Sequence, residues 1–299
     1  MATTSTAIDA ERLAPAEPSQ LAVTWRRFRK HKLALVGLTT LVVMALLIIL
    51  APLFLPYKPE TLDLTATFAP TTAQHWLGTD DLGRDILTRL LYAGQISMSV
   101  GIICTAIVIV IGALIGVISG YFGGWIDTIL MRIVDLLLAI PFFPLLLVLS
   151  QMLSQFLPSF WTIVIILSVF GWLGICRLVR GQILSLRNLD FVEATRALGA
   201  SNSRIMFRHM LPNSLAPLIV AATLAVGDFI ISESALSFLG YGVKPPTPTW
   251  GNMLSDVNNY FLEHPLLAFY PGLAILITVV SINFMGDALR DALDPRLKM

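Results

Sequence analysis

The chain has 299 residues, 56% of them hydrophobic and only 13% charged, with a formal net charge of +1 and a mean hydropathy of +0.78. Soluble domains carry about 25% charged residues, so this composition excludes a water-covered surface and points to a protein embedded in a lipid bilayer. A charge balance near zero excludes nucleic acid as a partner, because no basic excess is present to neutralise phosphates.

Residues 1–24 are rich in Ala, Thr, Ser, Pro and Glu without periodicity and are expected to form a disordered tail. The basic cluster from Trp25 to Lys32 then borders an apolar run over 33–55. A cleaved signal has an apolar region of about 7–15 residues, so this longer run is read as a retained membrane span. The polar segment 56–94 contains G-T-D-D-L-G-R-D-I-L-T-R-L-L-Y. Thr79 or Asp80 is expected to cap a helix there, with Ile86, Leu87, Leu90 and Leu91 on one face and Arg84, Asp85 and Arg89 opposite. That pattern reads as an amphipathic helix on the membrane surface, with contact to a delivery protein as the second reading.

The second span is placed at 96–117. Gly112, Gly116 and Gly120 recur every four residues, a spacing that lets helix backbones approach closely in lipid, either within the chain or between chains. The third span, 126–149, holds Asp127, Arg132 and Asp135 near its start, and Arg132 and Asp135 are spaced to pair on one face. Pro141 and Pro144 predict a kink about midway. Spans at 160–176, 214–231 and 266–284 complete a count of six, with Asp228 inside the far end of the fifth and Glu233 just beyond it. The loop after it carries Pro245, Pro246 and Pro248, which favour extended polyproline geometry.

Between the fourth and fifth spans lies a polar interruption over 180–212. Asp190 is expected to cap a helix, with Glu193 three residues later in an acidic variant of the capping box. Gly199 suits the left-handed position that ends a helix. Ser201 or Asn202 then caps a second short helix running to Leu211, with Pro212 opening the next span. Basic throughout, this helix–glycine–helix reads as a docking element rather than a catalyst. Sixteen of the twenty Lys and Arg residues fall on the side of this loop and both termini; Lys58, Arg84, Arg89 and Lys244 fall on the other. The positive-inside rule therefore places loop and termini in the cytoplasm.

Cys104 and Cys176 sit in apolar surroundings without metal-ligand spacing, and the four histidines (31, 75, 209 and 264) are scattered across loops. No H-E-x-x-H, G-x-S-x-G or G-x-x-x-x-G-K-[ST] is present. An enzyme is therefore not expected, nor any cofactor or metal in this chain. An ion-coupled secondary transporter is the alternative, but such proteins place coupling-ion sites near the midplane of repeated halves. Here the carboxylates sit near span ends and no repeat is visible.

E-A-T-R-A-L-G over 193–199, followed by nine residues and H-M-L-P, resembles the EAA loop of ABC importer permeases, departing from the usual form at Thr195 and His209. H-W-L-G-T-D-D-L-G-R-D (75–85), A-L-S-F-L-G-Y-G-V-K-P-P-T-P-T-W-G (235–251) and G-D-A-L-R-D-A-L-D-P-R-L (286–297) are similar to the peptide and nickel importers, in particular their second, C-type, permease subunit. The resemblance covers the chain from about Trp25 onward. It implies an all-α polytopic fold like that of type I importer permeases, with six transmembrane helices and a cytoplasmic coupling-helix loop, in a prokaryotic cytoplasmic membrane.

It also implies partners: a second permease subunit, two cytoplasmic ATPase subunits that bind ATP and magnesium, and an external solute-binding protein delivering peptides. In that family the loop's short helices seat in a groove on the ATPase. The resemblance then makes Asp190, Phe191, Glu193, Ala194, Thr195, Arg196, Ala197, Leu198, Gly199, Ala200, Arg204, Met206 and Arg208 the coupling residues. Ala194, Ala197 and Ala200 supply a small surface; Phe191, Leu198 and Met206 supply apolar anchors. Arg196, Arg204 and Arg208 are placed to meet carboxylates, with positive-inside anchoring as their other explanation. Dipeptides, longer peptides, nickel complexes and glutathione are all carried by relatives with these motifs.

Overall fold

The computed structural model describes residues 20–293. The expected tail therefore falls outside the described residues over 1–19, as do Arg296 and Lys298. Its last part is corrected, because residues 20–24 belong to a helix, α1 (Gln20–Phe28). Every named element among the described residues is a helix, with a single isolated bridge between Thr79 and Asp85.

Among the described residues five helices are long and apolar enough to cross a bilayer: α2 (Lys32–Phe54), α3 (Ile86–Phe122), α6 (Ser159–Leu186), α9 (Leu215–Phe238) and α11 (Pro265–Leu293). The sixth crossing is made by two pieces, α4 (Gly124–Ala139) and α5 (Phe142–Leu153), which meet at 87°. The predicted kink is thus a break. Pro141 lacks a backbone N–H and disfavours helical geometry at the residue before it, and Ile140 is extended at φ −78°, ψ 132°.

Hydrogen bonds show that the broken pair reaches both ends of the bundle. At the end carrying the described termini, Arg180 of α6 donates to Asp127 of α4 at 2.6 and 2.7 Å. At the far end, the Ser150 hydroxyl of α5 donates to the Tyr241 carbonyl in the loop after α9. Phe28 of α1 packs with Ala288 and Ala292 of α11, so the first and last described helices share an end, as an even number of crossings requires.

The glycine stripe on α3 packs within the chain. A Cβ on Gly112 or Gly120 would lie 2.8 Å from the Cβ of Ile175 or Ile183, and one on Gly116 would lie 2.6 Å from the Cys176 carbonyl oxygen. These contacts place α3 flat against α6. The core between them holds Val108, Val117, Val179 and Ile183, all almost fully buried.

Three charged positions differ from expectation. The pair foreseen between Arg132 and Asp135 is not formed, because Asp135 is engaged by Arg177 of α6. Glu233 lies inside α9 rather than beyond it, fully buried, with its carboxyl accepting from Ser97 (2.9 Å) and Ser237 (2.6 Å). Residues 86–91 are the first turns of α3, not a separate surface helix, and Asp85 is the cap, accepting from the Thr88 N–H at 2.8 Å.

Arg84 and Arg89 therefore turn inward rather than to water. The Asp80 carboxylate accepts from the Arg84 side chain at 2.7 Å and from Arg89, and Arg89 reaches Asp256 at 3.0 Å. Asp256 ends α10 (Trp250–Asp256), a helix in the loop where polyproline was expected. That loop instead turns at Pro245–Pro246, a cis peptide. α10 begins with a capping box between Thr249 and Asn252, and Trp250 is fully buried, donating to the Leu90 carbonyl at 3.0 Å.

Candidate functional site

The polar interruption begins inside α6, which continues three turns past the expected span end to Leu186. It then folds as two short helices on the terminal end of the bundle. α7 (Asp190–Ala197) is capped at Leu189, with no side-chain cap bond. Asp190 and Glu193 are therefore not a capping box; they sit in the first turn, where their charge favours the exposed N–H dipoles. After α7, Gly199 takes φ +78°, the left-handed position foreseen, with its N–H donating to the Arg196 carbonyl at 3.0 Å.

The second short helix, α8, covers residues 202–213 in three pieces: Asn202–Arg204, a π-helical stretch Ile205–Met210, and Leu211–Asn213. Ser201 is its cap, its hydroxyl accepting from the Arg204 N–H at 3.5 Å. α8 runs past Leu211 to Asn213 and Pro212 lies within it, so α9 opens at Leu215 instead.

Both short helices are pinned to the bundle along one face. Val192, Ile205 and Met210 are fully buried in the core that contains Val117, Tyr121, Val179 and Ile183. The Tyr121 hydroxyl at the end of α3 donates to Asn202 at 2.8 Å, and the Arg196 guanidinium lies 6.0 Å from the centre of the Tyr121 ring. Because the anchors come from α3 and α6 together, the two helices ride on the ends of both spans that face the described termini.

The other face is open. Ala194 and Ala197 are exposed, as are Arg196, Arg204 and Arg208. Leu198 is 88% exposed and Phe191 and Phe207 are each 38% exposed, so large apolar side chains stand outward on a polar segment. Thr195 is half-buried, its hydroxyl donating back to the Phe191 carbonyl, and Ala200 is partly buried against the core. Met206 is corrected: it is 6% exposed and packs inward, so it is no anchor for another protein. Phe207, which the sequence reading passed over, holds that outward place. An aromatic three residues after Arg204 and next to Arg208, the spacing of one helical face, was the available signal.

Among the described residues no carboxylate lies within ion-pair distance of Arg204 or Arg208. One step behind the surface, Asp127 accepts from both Arg180 and Ser119, which clamps the start of α4 to α3 and α6. The arrangement is a rigid projection with small, apolar and basic side chains outward. No group of three His, Cys, Asp or Glu residues that could hold a metal occurs among the described residues.

Comparison with known proteins identifies the type of chain that carries such a projection. Residues 112–299 match the model of the binding-protein-dependent transport system inner membrane component, and residues 19–73 match the N-terminal TM domain of oligopeptide transport permease C. The oligopeptide transport system permease protein OppC of Bacillus subtilis strain 168 is 40% identical over 290 residues, 97% of this chain and 94% of that protein. The dipeptide transport system permease protein DppC of Haemophilus influenzae is 40% identical over 280 residues, 92% of this chain and 94% of that protein. Among solved structures, an inward-facing form of the MetNI methionine ABC transporter shares the fold, with a TM-score of 0.57 at 22% identity over 69% of this chain and 96% of that chain. These matches decide against the ion-coupled transporter and carry the resemblance read from the EAA loop over nearly the whole length: the chain belongs to the family of inner membrane permease components of binding-protein-dependent ABC transport systems.

Proposed function

We propose that this chain is one of two unlike permease subunits of an ATP-driven importer that takes up di- or oligopeptides, and that residues 186–213 couple it to a cytoplasmic ATPase. Peptides are the proposed cargo because the similar permeases from Bacillus subtilis and Haemophilus influenzae are named for oligopeptide and dipeptide transport. The observation that carries the coupling role is the two-faced segment: Val192, Ile205 and Met210 lock into the bundle while Phe191, Leu198 and Phe207 stay exposed. A projection fixed to both α3 and α6 passes a push from outside the bundle into two spans at once.

In this reading Ala194 and Ala197 let the projection sit in a groove, Phe191, Leu198 and Phe207 fill it, and Arg204 and Arg208 meet ATPase carboxylates. Asp190, Glu193, Thr195, Gly199 and Ala200 shape the two helices, and Arg196 is held over Tyr121. ATP and magnesium bind the two ATPase subunits, and an external solute-binding protein supplies the peptide. The basic bias toward the terminal end supports a cytoplasmic location for both termini and the coupling segment in a bacterial cell. Single cysteines at Asn202 and Thr247 test this placement. They are expected to label from opposite sides of intact cells, and labelling of both from outside removes the coupling assignment.

A further inference from the structure

At the terminal end, the link between α1 and α2 and the last turns of α11 enclose a cavity of about 380 Å³ that the coupling role does not use. Its two walls carry opposite charge. Lys30, His31 and Lys32 line one, and Asp287 and Asp291, one helical turn apart on α11, line the other. His31 Nε2 stands 3.9 Å from the Asp291 carboxylate, so the walls approach without closing, and both side chains remain about half exposed. Lys30, Lys32 and Asp287 are exposed as well.

The apolar lining says where an occupant comes from. Leu33 and Phe284 also face the cavity. Leu33 is 60% exposed and Val36 58%, so the opening continues along the lipid-facing side of α2. The basic cluster stands at the first residues of the span, the level of the headgroups. Phe28 fixes this geometry by packing against Ala288 and Ala292, while Trp25, stacked on Phe28 at 5.9 Å, stays half exposed where an interfacial tryptophan belongs.

We infer that this cavity holds the headgroup of one phosphatidylethanolamine molecule. Its phosphate faces Lys30 and Lys32, its ammonium faces Asp287 and Asp291, and its acyl chains lie along Leu33 and α2. The pairing of walls argues for this lipid over others. A purely basic wall would take any anionic lipid, but two carboxylates beside it repel a second negative or merely hydroxylated group. They reward a cation with N–H donors. A free phosphate would not use the apolar exit, so the source is a membrane lipid.

Native mass spectrometry of the assembled, delipidated transporter, titrated with phosphatidylethanolamine, phosphatidylglycerol or phosphatidylcholine, tests it. The wild type is expected to retain one phosphatidylethanolamine that Asp287→Asn/Asp291→Asn and Lys30→Gln/Lys32→Gln each hold about tenfold more weakly. These exposed, isosteric or near-isosteric changes are expected to leave assembly intact. Peptide-stimulated ATP hydrolysis of each assembled variant, read separately in phosphatidylethanolamine bilayers, tests the importer reading without touching this one. Equal retention of phosphatidylglycerol or of phosphatidylcholine, whose quaternary nitrogen has no N–H, overturns the assignment, as does unchanged binding in both double variants. If removing residues 294–299 creates binding that the full chain lacks, the chain's own tail is the occupant and the assignment also fails.

Discussion

At the far end of the bundle Arg84 and Arg89 are buried, bonded to Asp80 and to Asp256. At the terminal end Arg204 and Arg208 stand exposed, with no carboxylate in reach among the described residues. Both regions are polar segments between apolar spans, and both follow glycine-containing motifs with similar arginine content. The difference is where the counter-charge lives. In the far cap it comes from the same chain, and the arginines hold the fold together. In the other segment no carboxylate of the described residues supplies it, and under the proposed coupling role it comes from another protein. Each prediction below moves one side of this contrast.

The largest effect is expected from Asp80→Ala. It leaves Arg84 and Arg89 buried with only Asp256 and Asp81 nearby, and stranding a buried charge costs about 3–5 kcal/mol. The assembled complex should melt markedly lower or fail to accumulate. Near-native melting of Asp80→Ala would mean that the cap is not held by these pairs.

Gly199 comes next. A Cβ there meets nothing within 4 Å, so Gly199→Val acts through backbone strain alone, roughly 1–2 kcal/mol and more for a β-branched residue. The complex should assemble with normal melting, while transport and peptide-stimulated ATP hydrolysis fall together. Gly199→Asn, which tolerates the left-handed region, should retain most activity. Wild-type activity in Gly199→Val would remove the coupling role.

A smaller effect belongs to Arg204→Gln and Arg208→Gln. Exposed pairs across an interface contribute about 0.2–1 kcal/mol each and weaken with salt. Retention of the ATPase on the permease should drop a few-fold at low ionic strength and converge with wild type at high salt. A salt-independent loss would point to misfolding of α8 instead.

The smallest is a pH effect in the far cap. Burial, and then the neighbouring Asp80 carboxylate, push the Asp81 carboxyl above its ordinary value. A raised acid contributes stability below its unfolded pKa of about 3.9 and loses it as pH rises through the folded value. Asp81→Asn should therefore be slightly more stable than wild type at pH 7, with the gap closing as pH falls through the folded value and gone below about 3.9. A gap that widens on acidification would reverse the sign of the argument.

The spans were legible because apolar runs of this length have few other uses, and Gly199 was legible because its residue type and its conformation are tightly linked. The far cap was not. Asp256 lies 167 residues from Arg89, and local periodicity treats a charge without a local partner as surface. Arg132 and Asp135 failed for the same reason in reverse: a local pair was available on paper, but Arg177 came closer through packing. Phe207 was legible but passed over: Met206 entered with the resemblance, whereas Phe207 stands three residues after Arg204 and so shares its helical face. The prolines at 141 and 144 announced a disturbance in the third span but not its size, an 87° break.

The length of α3 carries one more consequence. Its 37 residues run unbroken from the Asp85 cap to Phe122, with Tyr121 touching Asn202 of the coupling segment. At 1.5 Å per residue that is a rod of about 55 Å, so a tilt of about 10° at one tip sweeps the other through roughly 10 Å. The far tip is clasped by Asp80, Asp256 and the buried Trp250 ring. A rocking motion begun at the tip beside Asn202 therefore arrives at the opposite end as displacement of the whole α10 region, without any loop having to refold in between.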